Sequence, residues 1–286
     1  AWDADASTVS IRLGADRIVI TDDGEGMTVD QANERFLKVG YRRRQDRPPV
    51  TPAGRHVMGR KGIGKLSLFA IADVVQVESV CGDQHHGFIM RSDDIRAQVG
   101  DGDGRYQPDA LTALSNDLNR GTRITLSEIK TTVDKRTLLP LRRRLARRFS
   151  VIGPSHGFEV ATQLGTEEPE TISVGDRGYW RSIEFIWAIG SEADDTIEIC
   201  SSNGGEPKQS KLLDGECGDS EGWSVTGWIG TVKEQRQLEE GDNVVPVLAH
   251  GKLVHEDLLS QVKQGGIFTK YVVGELRRLR GLRRPR

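Results

Sequence analysis

Apolar and polar positions alternate near the start of the chain. Ile11 and Leu13, then Ile18 and Ile20, share one face of an extended backbone around Gly14-Ala15-Asp16. That pattern predicts a half-buried hairpin. "TVDQANERFLKVG" predicts a helix, with Thr28 as N-cap and Gln31 at the capping-box position. The basic, proline-bearing span "YRRRQDRPPVTPAGRHVM" is a poor fit to regular structure. "LSLFAIA" predicts a short apolar helix, and "DVVQVESV", "GFIMR" and "GTRITLSEI" predict strands. The polar stretch between Ser92 and Arg120 reads as irregular and insertion-like. A helix is expected from about Asp134 to Ser150, and a domain boundary near its end. Beyond it, "FEVATQL", "SIEFIWAI", "TIEICS", "WSVTGWIGTV" and "VVPVLAHG" predict strands, "EDLLSQV" a helix and "FTKYVVGEL" a last strand.

Bulk composition narrows the class. The chain has 286 residues, 36% hydrophobic and 29% charged, enough apolar content for a sizeable core and long enough for two domains. A formal net charge of -2 gives no overall pull toward nucleic acid or membrane. Cys81, Cys200 and Cys217 lack metal or disulfide spacing, which fits a reducing, cytoplasmic setting. No apolar run is long enough to cross a bilayer. The chain opens on "AWDADA" without an initiator Met, so truncation at both ends is expected.

The stretch "GRKGIGKLS" carries the candidate chemistry. A P-loop needs G-x-x-x-x-G-K-[ST]; Gly59, Gly64 and Lys65 comply, but the eighth position is Leu66, which has no oxygen for Mg²⁺. The preceding "PPVTPAGRHVM" is also no buried strand. What remains is G-x-x-G-x-G opening a helix, where glycine amides and a helix N-terminus can approach phosphate closely. Taken alone, the box equally fits glycines that merely shape a loop-to-helix junction.

Three further motifs accompany it in order. Ala1-Trp2-Asp3-Ala4 precedes the first strand, Asp22-Asp23-Gly24-Glu25-Gly26 ends the second, and Gly121-Thr122 opens a later one. The set resembles the GHKL ATPase superfamily of gyrase-type topoisomerases, heat-shock chaperones, histidine kinases, MutL and MORC proteins, and is closest in pattern to the MutL/MORC type. The four stretches correspond to the end of E-x-x-x-N-A-x-D-A, to D-x-G-x-G, to the second glycine box and to the G-T strand. The resemblance implies an α+β architecture: a Bergerat-type ATP-binding sandwich over residues 1-133, mixed sheet with helices on one face, and a lid over about 28-58. A linker helix, 134-155, and an incomplete, smaller transducer-like α/β domain, 156-286, would follow; "VLAHGKLVHEDLL" carries the transducer likeness.

By the same resemblance, Asp22 would accept a hydrogen bond from the adenine amine, supported by Thr122. Gly24 and Gly26 would let the base lie on the backbone, with Met27 as an apolar wall or a core residue. Gly59, Lys61, Gly62, Ile63, Gly64, Lys65 and Ser67 would hold the phosphates, and Asp3 would brace the site. Lys38, Arg42, Arg43 and Arg44 could reach phosphate from the lid, although a solvated charge run is the commoner reading of such a stretch. The family's general-base Glu and Mg²⁺-ligand Asn fall just upstream of Ala1, so no catalytic residue is assigned, and the Mg²⁺ expected with ATP has no ligand here. Lys233, Lys252 and Lys270 are candidates for the transducer's phosphate-sensing residue. The expected function is ATP binding and, in the intact protein, hydrolysis driving lid closure and homodimerisation. The alternative is a non-catalytic nucleotide-responsive scaffold or DNA-binding module. Nucleic acid could be met by Arg142, Arg143, Arg144, Arg147 and Arg148 or by the tail "RRLRGLRRPR", though a solvated helix and a disordered end are the plainer expectations. His85-His86 reads as a strand-edge turn, and Trp223 and Trp228 as core.

Overall fold

The computed structural model describes the chain except residues 42, 60, 61, 101–105, 191, 192, 214–222, 239, 240, 262–265 and 281–286, and except the side chains at 44, 45, 98–100, 193, 223, 224, 267 and 278–280. It has two compact units, residues 1–142 with 152–172, and residues 143–151 with 173–286. Each is built on its own sheet, giving an α+β architecture.

The predicted first hairpin forms from β1 (Thr8–Leu13) and β2 (Arg17–Asp22), with Ile11 opposite Ile20. β3 (Ala72–Cys81), β4 (Gln84–Arg91) and β6 (Gly121–Ile129) extend it, and the short β5 (Asp109–Ala110) closes one edge. β7 (Glu159–Leu164) and β8 (Glu170–Thr171) form the other edge. The strand order is β5-β4-β3-β6-β2-β1-β7-β8, antiparallel throughout except for the β1–β7 pair. "FEVATQL", read with the second half, therefore belongs to the first sheet. Alternation reveals a strand but not its partner, and Thr8 to Leu13 lie in register with Glu159 to Leu164.

Val75, Val77 and Leu126 are fully buried in one core with Phe88 and Met90. Ala32 and Phe36 from the helical stretch α1 (Val29–Gln31) and Ala32–Phe36 pack there, as do Leu68 and Phe69 from the 3-10 helix Gly64–Ala70. The Thr28 side chain accepts the Gln31 amide, as its capping position implies. α2 (Arg43–Asp46) is one short turn inside the basic span. Ser92–Arg120 is less irregular than expected: α3 (Ser92–Gly100) starts with Asp93 and Asp94, which suit a helix N-terminus, and Ile95 packs on the core.

α4 (Lys135–Arg148) matches its prediction; Arg144 and Arg148 are exposed as a solvated helix implies, but Arg142 and Arg147 are not. Arg142 is 8% exposed and donates to Thr162 Oγ1 and to the carbonyls of Glu170 and Thr171. Arg147 pairs with Asp242 and donates to Gly241 O, and Arg148 lies 3.1 Å from Glu256. Long cationic side chains whose heads meet carboxylates and carbonyls hold structure together, which removes Arg142 and Arg147 as a DNA-contacting stripe.

The second sheet runs β10-β9-β11-β14-β12-β13. Its strands are β9 (Ile183–Ile189), β10 (Gln209–Leu213), β11 (Trp223–Val232), β12 (Val247–Ala249), β13 (Lys252–His255) and β14 (Val272–Arg280). Five expectations change here. "TIEICS" lies in helix α5 (Ala193–Ser202), because buried Thr196 and Cys200 recur at helical spacing and the β-branched residues disguise it. "VLAHGKLVHEDLL" is a hairpin, β12 to β13, turning through His250 and Gly251 at φ 52° and 76°, and "EDLLSQV" keeps only the turn Leu259–Gln261 among the described residues. "FTKYVVGEL" begins as the 3-10 turn Ile267–Tyr271. Arg277 to Arg280 of the basic tail pair with β11 as strand, so that part is not a disordered end. Cys217, the Trp223 side chain and the last six residues lie outside the described residues.

Trp228 is 3% exposed, with its ring 4.8 Å from Trp180 and 5.4 Å from Tyr179. Beside this cluster Arg177 and Glu275, 4% and 2% exposed, form a pair at 2.8 Å. Trp228→Ala should lose roughly 3–5 kcal/mol by urea titration, the usual cost of emptying such a site. A loss below about 1 kcal/mol would show that the cluster is not the core of this unit.

Candidate nucleotide-binding site

The site begins where three strands end side by side. The register sets Asp22 opposite Thr122, and Thr122 opposite Ser79, so one carboxylate and two hydroxyl residues form a row across β2, β6 and β3. Asp22 Oδ1 accepts the Gly24 amide at 3.0 Å, and Oδ2 lies 3.5 Å from the Ala1 nitrogen. The Asp22 side chain is only 13% exposed. Ser79, fully buried, accepts the Met27 amide at 2.8 Å and donates to Gly121 O at 3.2 Å. It ties the D-x-G-x-G turn to the G-T strand. Sequence reasoning missed it, although a hydroxyl amid the apolar positions of "DVVQVESV" was the available signal. Met27 is half-buried against the first core, and its carbonyl lies 2.9 Å from His86 Nε2. His85 and His86 thus lie within β4, just past the turn expected of them.

Asp23, on the outer side of the turn, accepts the Ser7 and Thr8 amides at 2.7 and 2.8 Å. Partial burial pulls its carboxyl up, but the hydrogen bonds prevail and hold it below the usual carboxylate range.

The glycines divide by what surrounds them. A Cβ on Gly24 would lie 2.7 Å from Ala4 O, and one on Gly26, at φ +67°, 2.1 Å from Val80 O. The protein's own backbone therefore requires both. Around the Gly64 Cβ position there is nothing within 4 Å, so the need for glycine there is not packing. Gly62 lies so close to Tyr41 that a Cβ would sit 2.3 Å from its carbonyl oxygen.

Asp3 organises the approach to the box. Its two carboxylate oxygens accept the amides of Met58 and Gly59, both at 2.8 Å. Neighbouring residues strap down the preceding segment. Trp2 Nε1 donates to His56 O at 2.9 Å, and Asp5 accepts from Thr51 Oγ1 and from the Ala53 amide. The Arg55 guanidinium lies 4.6 Å from the Trp2 ring centre and donates to Gly157 O. The last third of the expected lid is thus anchored to the chain start.

Ile63 is 48% exposed, and Ser67 Oγ donates to Gly64 O at 2.6 Å within its own turn. Lys65 Nζ donates to Lys38 O at 2.6 Å and Arg35 O at 3.3 Å. Lys61 and Arg42 lie outside the described residues, as does the Arg44 side chain. An open cleft of about 560 Å³ beside the lid is lined by Glu34, Arg35, Lys38, Tyr41, Asp46 and Arg47. Among the described residues no three His, Cys, Asp or Glu side chains gather to hold a metal. No described helix is long and apolar enough to cross a membrane.

A purine-sized donor beside Asp22 and a charged tail over glycine amides are what such a site can accept. Residues 1–106 match the family of histidine kinase-, DNA gyrase B- and HSP90-like ATPases, so over this span the chain is similar to a GHKL-type ATP-binding domain. It is also similar to a Herpetosiphon aurantiacus protein described as "Putative type II restriction enzyme HgiDII", with 36% identity over 276 residues. The match takes in 96% of this chain and 43% of that relative, so the chain spans less than half of its length.

The glycine surroundings give the first expectation for this site. Gly26→Ala should destabilise by ~2 kcal/mol or more, from strained φ and collision. Gly64→Ala should stay within about 0.5 kcal/mol of the parent and weaken ATP binding instead. Equal stability losses in chemical denaturation would overturn the division. The Asp23 carboxyl gives a second. Because its folded pKa is depressed, it stabilises the fold above about pH 4 and loses that effect as pH falls through the folded value. Asp23→Asn should therefore flatten the acid limb of a stability-against-pH curve, and an unchanged limb would count against it.

Proposed function

We propose that this chain binds ATP between the Asp22 row and the glycine box, and that it is the switching part of a larger ATP-driven machine. Asp22 accepts the adenine amine, Thr122 supports that contact, and the glycine box beyond the Asp3-bound Gly59 amide meets the phosphates. In the intact protein, binding orders the lid and brings two copies together, and hydrolysis resets them. One observation supports this most: Asp22 is held by the Gly24 amide opposite Thr122 on the same sheet whose neighbouring Asp3 fixes the Gly59 amide. An ionised carboxylate accepts more hydrogen bonds than the one that Gly24 supplies, so Asp22 keeps capacity for an exocyclic amine.

The restriction-enzyme description of a relative matched over 96% of this chain favours a DNA-related output. It also favours a second reading, a nucleotide-responsive scaffold in a DNA-maintenance or defence assembly that turns over no ATP. Turnover on a protein extended upstream of Ala1 to include the water-activating Glu and Mg²⁺-binding Asn that the resemblance implies separates the two readings.

Calorimetry with ATP and ADP on that protein tests the shared premise. Asp22→Asn puts a donor where the amine needs an acceptor, and affinity should fall by about tenfold or more. Equal heats for parent and variant would end this reading.

A further inference from the structure

Three arginines near the end of α4, Arg144, Arg147 and Arg148, stand at i, i+3 and i+4 and so share one face of the helix. With Val244, Pro246 and Leu253 they line an open cleft of about 480 Å³. All six belong to the second unit. The frame of the cleft is fixed. The Ser150 amide donates to Gly251 O at 3.0 Å and Phe149 bridges to Lys252, which ties the end of α4 to the hairpin of β12 and β13.

The three guanidiniums are not equivalent. Arg147 is braced, pairing with Asp242 and donating to Gly241 O and Arg177 O. Its Nε is nonetheless buried with no hydrogen-bond partner among the described residues. Arg148 meets Glu256 at 3.1 Å, with both side chains more than half exposed. A surface pair of that kind contributes little, so an incoming anion can replace the carboxylate. Arg144 is exposed and has neither an ion pair nor a hydrogen bond among the described residues. Three guanidiniums thus meet two carboxylates, and one positive charge is left over. The negative end of the α4 dipole accounts for Arg147 and Arg148 in the last turn, but not for an unpaired Arg144 before it.

Guanidiniums beside an apolar lining match a ligand of two parts. The arginines can donate to phosphate oxygens in pairs, and Val244, Pro246 and Leu253 can cover an apolar body. A concave, partly apolar cleft of this size suits a small molecule better than the broad backbone of a duplex.

We propose that this cleft binds a small phosphate monoester with an apolar or aromatic body, its phosphate held by Arg144 and by Arg148, which gives up Glu256 in exchange. The site lies within the second unit and does not rest on the ATP reading.

Calorimetry of the full chain with inorganic phosphate, phenyl phosphate and phenol tests it. Phenyl phosphate should bind about tenfold more tightly than inorganic phosphate, because its ring is buried, and phenol should give no heat. Arg144→Met and Arg148→Met should each weaken phenyl phosphate by about fivefold or more. Glu256→Gln frees Arg148 and should strengthen it by about threefold, a gain that a merely structural ion pair would not give. Unchanged affinity in both Met variants, or no preference for the ester over inorganic phosphate, overturns the proposal. Absence of phenyl phosphate heat from the parent does so too, whether or not a DNA duplex binds there. Should the variants not fold, arginine-selective labelling of the parent with phenylglyoxal still decides. Phenyl phosphate, but not phenol, should shield Arg144 and Arg148, and equal labelling with the two refutes the site.

Discussion

One carboxylate holds the amides of Met58 and Gly59, and the geometry of the first unit's site depends on it. Asp3 sits in the chain start, before any strand of the sheet, yet it determines where the glycine box begins. An ionised carboxylate that accepts two amides is a strong, directional anchor in a partly buried setting. Asp5 repeats the arrangement on the Ala53 amide, and the Trp2 indole on His56 O and the Arg55 side chain on Ala6 O tie the same segment to the first residues of the chain. A loop that would otherwise lose much entropy on ordering is thereby held without regular structure of its own.

The anchoring divides the basic, proline-bearing span. Its C-terminal third is bonded to the chain start, whereas the part around α2 meets the rest through Arg43 and the Tyr41–Gly62 contact.

Three arginines serve this protein as cross-braces. Arg142, Arg147 and Arg177 each insert a planar, many-donor head among carbonyls and carboxylates where lysine could satisfy fewer acceptors. Charge in the sequence alone therefore did not show that Arg142 and Arg147 turn inward. The head group's partners come from residues 20 to about 100 positions away, which a helical wheel does not contain.

Much was legible locally. The hairpin of β1 and β2, the Thr28 cap, the strands β3, β4 and β6, and the helix α4 follow from periodicity and capping, which act over a few residues. The order of Asp3, Asp22, Gly24, Gly26, Gly59 to Gly64 and Thr122 carried the resemblance to an ATP-binding family, which the match over residues 1–106 supports. Tertiary structure decided the rest. It put β7 beside β1, and it made a helix of "ADDTIEICSS", where β-branched residues imitate a strand until Thr196 and Cys200 share a buried face. It also gave Gly24 and Gly26 to the protein's own backbone and left Gly64 open. Partner choice, close approach and the desolvation of a single guanidinium arise only when distant segments meet, so no local pattern encodes them.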